Sequence, residues 1–201
     1  MKNNSSSTNV PGGSHLTKEI IKGRTKNQVN SFSELYRGCE ISFPRKTYKH
    51  YAVIIRVNSH NESFEIIHLI GDSTDCTIAS TRCSHQAKPV REMIQFSSLK
   101  RKILIYTYED NKLFRPEVAA KRAEILYEIY LQLEVYYSFK KFNCEHFATY
   151  CVTGEAYSKH VAKALDRCPG LLCKKKNDEA RQKLNYGIEH YLIQRKKKLM
   201  K

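Results

Sequence analysis

Long apolar runs, paired cysteines and a leader-like start are all missing from this sequence of 201 residues. No stretch of about 18 apolar residues occurs, which argues against a membrane-spanning helix. The polar opening MKNNSSSTNVPGGS lacks the apolar core of a secretory signal. The seven cysteines are odd in number and form no Cys-x-x-Cys pair, unlike a disulfide framework. These absences predict a cytoplasmic protein, with peripheral membrane contact as an additional option.

Charge of one sign is in excess and concentrated at the ends. Of the formal net charge of +15, +4 falls in residues 1–30, +9 in residues 158–201 and only +2 between them. We expect a flexible basic tail (1–30), one folded domain (31–157) and a basic, helical C-terminal extension (158–201). The extension favours contact with an anionic membrane surface, the alternative being a run that only keeps the protein soluble. No motif supports nucleic acid as a partner.

Two periodicities divide the domain. Turn residues bound apolar segments that predict strands: CEISFP (39–44), HYAVIIRV (50–57), FEIIHLIG (64–71), EMIQF (92–96) and KILIYTY (102–108). The turn sequence NSHNES (58–63) predicts that the second and third strands form a hairpin. Spacing of three or four predicts a helix from Pro116 to about Ser138. A shorter helix should run from Cys144 to about Thr153, so the class is α+β, an antiparallel sheet packed on helices.

Cys144 begins this second helix, within FNCEHFATYC (142–151). Asn143 before it is a favoured N-cap, and Gly154 is a natural C-terminal residue. A cysteine at a helix start meets unpaired amides and the positive end of the dipole, which stabilise a thiolate. The alternative is a small buried apolar side chain, which is the commoner role of a cysteine.

Two histidines lie in the predicted hairpin. His50 opens its first strand and His68 lies inside its second. For a single histidine, a hydrogen-bonded core position is the commoner outcome. Two on neighbouring strands, facing a helix that begins with cysteine, suggest a base for a thiol nucleophile.

These segments resemble the lecithin–retinol acyltransferase-like family, which includes small phospholipase A/acyltransferases. NCEHFATYC resembles the family's cysteine box, GCEISFPRKTYKHYAVII (38–55) its histidine box and IIHLIG its second histidine strand. The resemblance covers about residues 33–157. It implies a circularly permuted form of the papain/NlpC-like thiol fold, in which the histidines precede the cysteine.

The resemblance also implies roles for individual residues. Cys144 would be the nucleophile, His50 the general base and His68 the residue that orients His50. Tyr48 is a candidate oxyanion donor, together with the backbone amides at the helix start. The implied reaction transfers an acyl group from a glycerophospholipid to water, an amine or an alcohol, without a cofactor or metal. Tyr51 stands where the family usually has tryptophan.

Several alternatives stay open from the sequence. By spacing, His60 is another candidate third member, although its turn predicts exposure. Cys144, His146 and Cys151 lack zinc-ligand spacing, and we expect His146 to bond to the scaffold and Glu145 to complement the helix dipole. CPGLLCKKK (168–176) is read as a loop with buried cysteines or as a lipidation site beside a basic patch. A cysteine peptidase or amidase, or a non-enzymatic regulatory domain, would suit the same scaffold.

Overall fold

The computed structural model describes most of the domain and a few residues near the C-terminus. The described residues are 23–45, 49–71, 85–99, 102–109, 113–131, 135–137, 143–159, 182, 184–186 and 189. For 85–87 and 135–137 the backbone alone is described.

Seven strands form one antiparallel sheet in the order β1-β6-β2-β3-β4-β5-β7. The strands are β1 (Thr25–Gln28), β2 (Glu40–Pro44), β3 (Lys49–Asn58), β4 (Ser63–Gly71), β5 (His85–Gln95), β6 (Leu104–Thr107) and β7 (Val135–Tyr137). Two α-helices, α1 (Pro116–Tyr130) and α2 (Cys144–Thr153), pack on the sheet. The α+β class and all five predicted strands are confirmed.

The predicted hairpin of β3 and β4 is confirmed, and it lies in the middle of the sheet. Its strands are rich in isoleucine and valine, which suit a pleated surface buried on both faces. In the turn, the His60 amide donates to Asn58 Oδ1 at 3.1 Å. His60 itself is exposed, in agreement with the sequence.

Side chains alternate between two apolar clusters, one on each face of the sheet. On β3, Tyr51, Val53 and Ile55 join the cluster beneath the helices, whereas Ala52 and Ile54 join the opposite cluster. The helix-side cluster also contains Cys144, Phe147, Ala148 and Cys151. The predicted apolar face of α2 is therefore confirmed.

The first helix is shorter than predicted. Pro116 occupies its first turn as expected, but α1 ends at Tyr130, and Val135–Tyr137 forms β7 against β5. The prediction of a helix to about Ser138 is wrong there, because valine and tyrosine pair well in a sheet edge. Gly38 fits against the start of α1 at φ +87°, where a Cβ would come within 1.9 Å of the Pro116 carbonyl oxygen.

Both terminal segments contribute to the domain. Residues 25–28 form β1 beside β6, so the prediction of a flexible tail is wrong for them. All four of their side chains are exposed, and a segment this short and polar does not indicate a strand from sequence. On the other side, Leu184 is buried in the helix-side cluster and Asn185 Oδ1 accepts from Tyr150 Oη at 2.5 Å. The predicted boundary at residue 157 therefore separates residues that pack together.

Much of both predicted tails lies outside the described residues, including 1–22 and 160–181. The segment CPGLLCKKK and the basic end IQRKKKLMK lie there as well. Among the described residues, no helix has both the length and the apolar character needed to cross a bilayer.

Candidate active site

The start of α2 is built around the Asn143 side chain. Its Oδ1 accepts from the amides of Glu145 at 2.9 Å and His146 at 3.1 Å. In return, His146 Nδ1 accepts from the Asn143 amide at 3.3 Å. The N-cap and the scaffold role of His146 are confirmed. Because Asn143 occupies two first-turn amides, these two are not available as oxyanion donors.

Cys144 is the first residue of this capped helix and is 4% exposed. The helix dipole favours the thiolate at this position. Burial raises the pKa of the Cys39 and Cys151 thiols to about 12. Neither of these two is a nucleophile near neutral pH.

The two predicted catalytic histidines are in direct contact. Nε2 of His50 and Nδ1 of His68 form a short hydrogen bond, and the rings lie perpendicular with centroids 4.6 Å apart. Both side chains are buried. Burial lowers the pKa of His50 well below its usual value, and the neighbouring His68 and Arg45 lower it further. His50 is therefore a neutral base at pH 7.

Glu92 on β5 extends this pair and was not identified from sequence. Its Oε2 lies 3.2 Å from His68 Nε2, an ion-pair distance without straight hydrogen-bond alignment, and 3.3 Å from Arg45 Nη2. The contact with His68 is the main cause that lowers the pKa of Glu92. The sequence did contain a sign of this position. Glu92 lies two residues before the apolar Ile94 in a predicted strand, so both side chains are expected on the same face of the sheet.

Glu145, the residue after Cys144, lies near the first residues of β3, the strand that carries His50. Lys49 and Tyr51 flank His50, and the electrostatic influence of Glu145 reaches both. The helix start thus lies over the first residues of β3. The ring of His50 lies on the other side of this strand from Tyr51, against Phe43, with ring centroids 5.5 Å apart. Tyr48, the candidate oxyanion donor, lies outside the described residues.

A buried ionic cluster underlies the helix start, and sequence reasoning missed it. Arg24 Nη1 donates to Glu145 Oε1 at 2.8 Å, and Nη2 donates to Glu40 Oε1 in a shorter contact. The guanidinium carbon lies 4.1 Å from the centroid of the Tyr106 ring, within cation–π range. The Tyr108 hydroxyl donates to the other oxygen of Glu40.

Hydrogen bonds connect this cluster to the N-cap. Ser158 Oγ donates to Glu145 Oε2 at 2.8 Å, and Asn143 Nδ2 donates to Ser158 Oγ at 3.3 Å. Glu145 therefore does more than complement the helix dipole, which was the role that the sequence suggested. It is buried and joins the helix start to the sheet and to Arg24.

The cluster shifts the pKa values of its members in opposing ways. Burial raises the pKa of Glu40, while Arg24 and the Tyr108 hydrogen bond oppose this change. Burial lowers the pKa of Arg24, but Glu40, Tyr108 and Glu145 together hold it well above its usual value. Arg24 is therefore a permanent cation facing two carboxyl groups.

A shallow groove of about 260 Å³ lies beside this end of β3. It is lined by Gln28, Ser42, Phe43, Pro44, Lys49, Lys102 and Leu104. The groove thus combines an apolar floor with two ammonium groups. Metal ligation has no comparable support, because within the described part of the chain no three His, Cys, Asp or Glu side chains cluster suitably.

Comparison with known proteins assigns the chain to a family. The family model described as Lecithin retinol acyltransferase matches residues 33–157, more than half of the chain. Searches of curated proteins and of solved structures each gave no match. The family's activity is in general acyl transfer. On the extent of this match, the protein belongs to the lecithin retinol acyltransferase family.

Proposed function

We propose that this protein is a thiol acyltransferase that cleaves an acyl ester of a glycerophospholipid through a thioester on Cys144. The observation that carries the proposal is the direct contact of His50 with His68, in a chain whose capped helix α2 begins at Cys144. A thiol nucleophile needs a neutral base that a further group holds in orientation. Family membership supports acyl transfer as the reaction class.

The contacts are consistent with one arrangement of protons. If Nδ1 of His50 is to accept the thiol proton, Nε2 must carry hydrogen and donate to Nδ1 of His68. Nε2 of His68 then carries hydrogen and faces Glu92 Oε2 at 3.2 Å. Each ring is held in one tautomer, and the Glu92 carboxylate stabilises the positive charge that forms on His50.

The first half of the reaction forms the thioester. Cys144 Sγ gives its proton to His50 and attacks the ester carbonyl, and the tetrahedral oxyanion is stabilised by the positive end of the α2 dipole and, in this proposal, by Tyr48. As the intermediate collapses, the ester C–O bond breaks. The departing lysophospholipid oxygen takes the proton from His50.

The second half releases the acyl group. Water, an amine or an alcohol gives a proton to His50 and attacks the thioester carbonyl. The C–S bond breaks, and the Cys144 thiolate recovers the proton from His50. Two steps through a covalent intermediate replace one more difficult transfer.

The groove beside β3 supports an amphiphilic substrate. Lys49 and Lys102 are suited to neutralise a phosphate, while Phe43, Pro44 and Leu104 offer an apolar surface to the first acyl carbons. The groove borders the strand that carries His50.

The proposal includes a relation to the papain/NlpC-type thiol fold by circular permutation. Chain order supports it, because β3 and β4 with the histidines precede α2 with the cysteine. An experimental structure whose Cys144, His50 and His68 did not superpose on such a peptidase site would contradict this relation.

The intact-protein mass after incubation with defined phospholipids tests the function. We expect a mass increase equal to one acyl group, located at Cys144 by peptide mapping. Cys144→Ala should lose the adduct and turnover. Cys151→Ala, on the same helix and outside the reacting groups, is the matched control and should retain both.

The other outcomes separate the alternatives. An adduct from peptide or amide substrates, with none from lipid, would identify a peptidase or amidase. An unreactive Cys144 in the folded protein would point to a regulatory domain. Full turnover by Cys144→Ala on phospholipid would overturn the assignment of the nucleophile.

A further inference from the structure

Arg24 connects a segment outside the family match to the cysteine helix. The match begins at residue 33, whereas Arg24 immediately precedes β1. Its side chain is only 6% exposed and contacts Glu145 at 2.8 Å. An arginine is seldom buried without a carboxylate partner, and this one has two.

The position of Glu145 gives this contact a chemical consequence. Glu145 directly follows Cys144 in the first turn of α2, and a carboxylate beside a thiol disfavours the thiolate. The helix dipole acts in the opposite sense. Within the described part of the chain, the titratable and charged groups that interact with Glu145 include Arg24, Glu40, Lys49, Tyr51 and Tyr108.

Among these groups, Arg24 is the cation whose position is best suited to offset the charge of Glu145. It makes a buried, charge-assisted hydrogen bond to Glu145. Lys49 is exposed, and solvent screens its influence. The two tyrosines are neutral near pH 7, because burial raises the pKa of both, and Glu40 adds negative charge.

We propose that Arg24 is a positioning residue that holds Glu145 and neutralises its charge, so that Cys144 can ionise at the helix start. The inference rests on the proposed function in taking Cys144 as the reactive thiol. It adds a requirement that the family match does not contain: a cation supplied by the segment before β1. Without that cation, the Glu145 carboxylate beside the nucleophile would lose its buried ionic partner.

Alkylation of Cys144 by iodoacetamide tests this inference without any substrate. Its rate is measured by peptide mass at a series of pH values from about 5 to about 10. Arg24→Met should move the profile to higher pH, with about tenfold less thiolate at pH 7. Arg24→Met combined with Glu145→Gln should return the profile toward that of the wild type, because both charges are then removed. A merely structural Arg24 would give no such rescue.

Two controls keep the result interpretable. Arg24→Lys retains the charge and should stay close to the wild-type profile even if it unfolds at a lower temperature. Arg56→Met removes an exposed arginine that faces Glu65 at 3.7 Å and should leave the profile unchanged. Circular dichroism establishes that each variant is folded.

An unshifted profile in folded Arg24→Met, or equal shifts in Arg24→Met and Arg24→Lys, would overturn the inference. Failure to restore the profile in the double variant would do the same. If the shift and rescue occur but no phospholipid turnover is found, the proposed function fails while the role of Arg24 stands.

Discussion

The ionic cluster around Arg24 and the chain of His50, His68 and Glu92 are two groups of polar side chains beside β3. They differ in whether their charged members are all buried. In the ionic cluster, Arg24 donates to Glu40 and Glu145. The hydroxyl groups of Tyr108 and Ser158 donate to the remaining oxygens of these carboxylates. In the histidine chain, His50 contacts His68, and His68 faces Glu92, whose side chain is 42% exposed. The first group ends inside the protein, whereas the second reaches solvent.

The ionic cluster is therefore suited to stabilise the structure, whereas the histidine chain is suited to transfer a proton. A permanent guanidinium between carboxylates has no proton to exchange near neutral pH. Imidazoles do exchange protons there, and a partly solvated carboxylate can stabilise the positive charge as it forms. We therefore expect the ionic cluster to dominate stability and the histidine chain to dominate reactivity.

Removing the base should produce the largest effect on reaction rate. His50→Ala deletes the proton acceptor, and general-base contributions are about a hundredfold to ten-thousandfold. His68→Gln removes only the orienting ring, so a smaller loss with measurable turnover is expected. Rates of acyl transfer and of Cys144 alkylation at pH 7 measure both. Equal and mild losses would mean that the two histidines are structural.

Removing the cation should produce the largest effect on stability. Arg24→Met leaves buried carboxylates uncompensated, which costs about 3–5 kcal/mol in comparable sites. Glu92→Gln alters a pair on a partly exposed side chain and should cost at most about 1 kcal/mol. Urea denaturation of both variants gives the comparison. If Glu92→Gln proved the more damaging variant, the assignment of stability to the ionic cluster would be wrong.

Acid should act on the two groups in opposite directions. The pKa of His50 is lowered mainly by burial and that of Glu92 mainly by His68, so both bind protons less readily when folded. Their stabilising contributions are lost as pH falls below 6.5 for His50 and below 4.5 for Glu92. Burial raises the pKa of Glu40, so its protonation stabilises the fold as pH falls from that raised pKa toward 4.5.

Denaturation at a series of pH values measures these slopes, which are at most about 1.4 kcal/mol per pH unit for one group. His50→Gln should flatten the loss of stability just below pH 6.5. Glu40→Gln should remove the opposing gain and make the acid loss steeper. Unchanged slopes in both variants would show that neither group is responsible.

Local patterns were sufficient for most elements of the fold. The hairpin, the capped helix at Asn143 and its end at Gly154 each depend on residues close in sequence, and all were predicted. The long helix was predicted too far because apolar spacing cannot show that Val135–Tyr137 pairs with β5. The short polar β1 gave no alternation strong enough to identify it.

The sequence by itself determined most of the elements, the class and the family, because periodicity, caps and the cysteine and histidine boxes are local properties. It also identified Cys144, His50 and His68 as candidates for chemistry. Only the tertiary structure decided which charges meet: Glu92 with His68, and Arg24 with a glutamate 121 residues away. Such pairing depends on strand register and on packing against α2, and neither is visible in the residues that flank each charge.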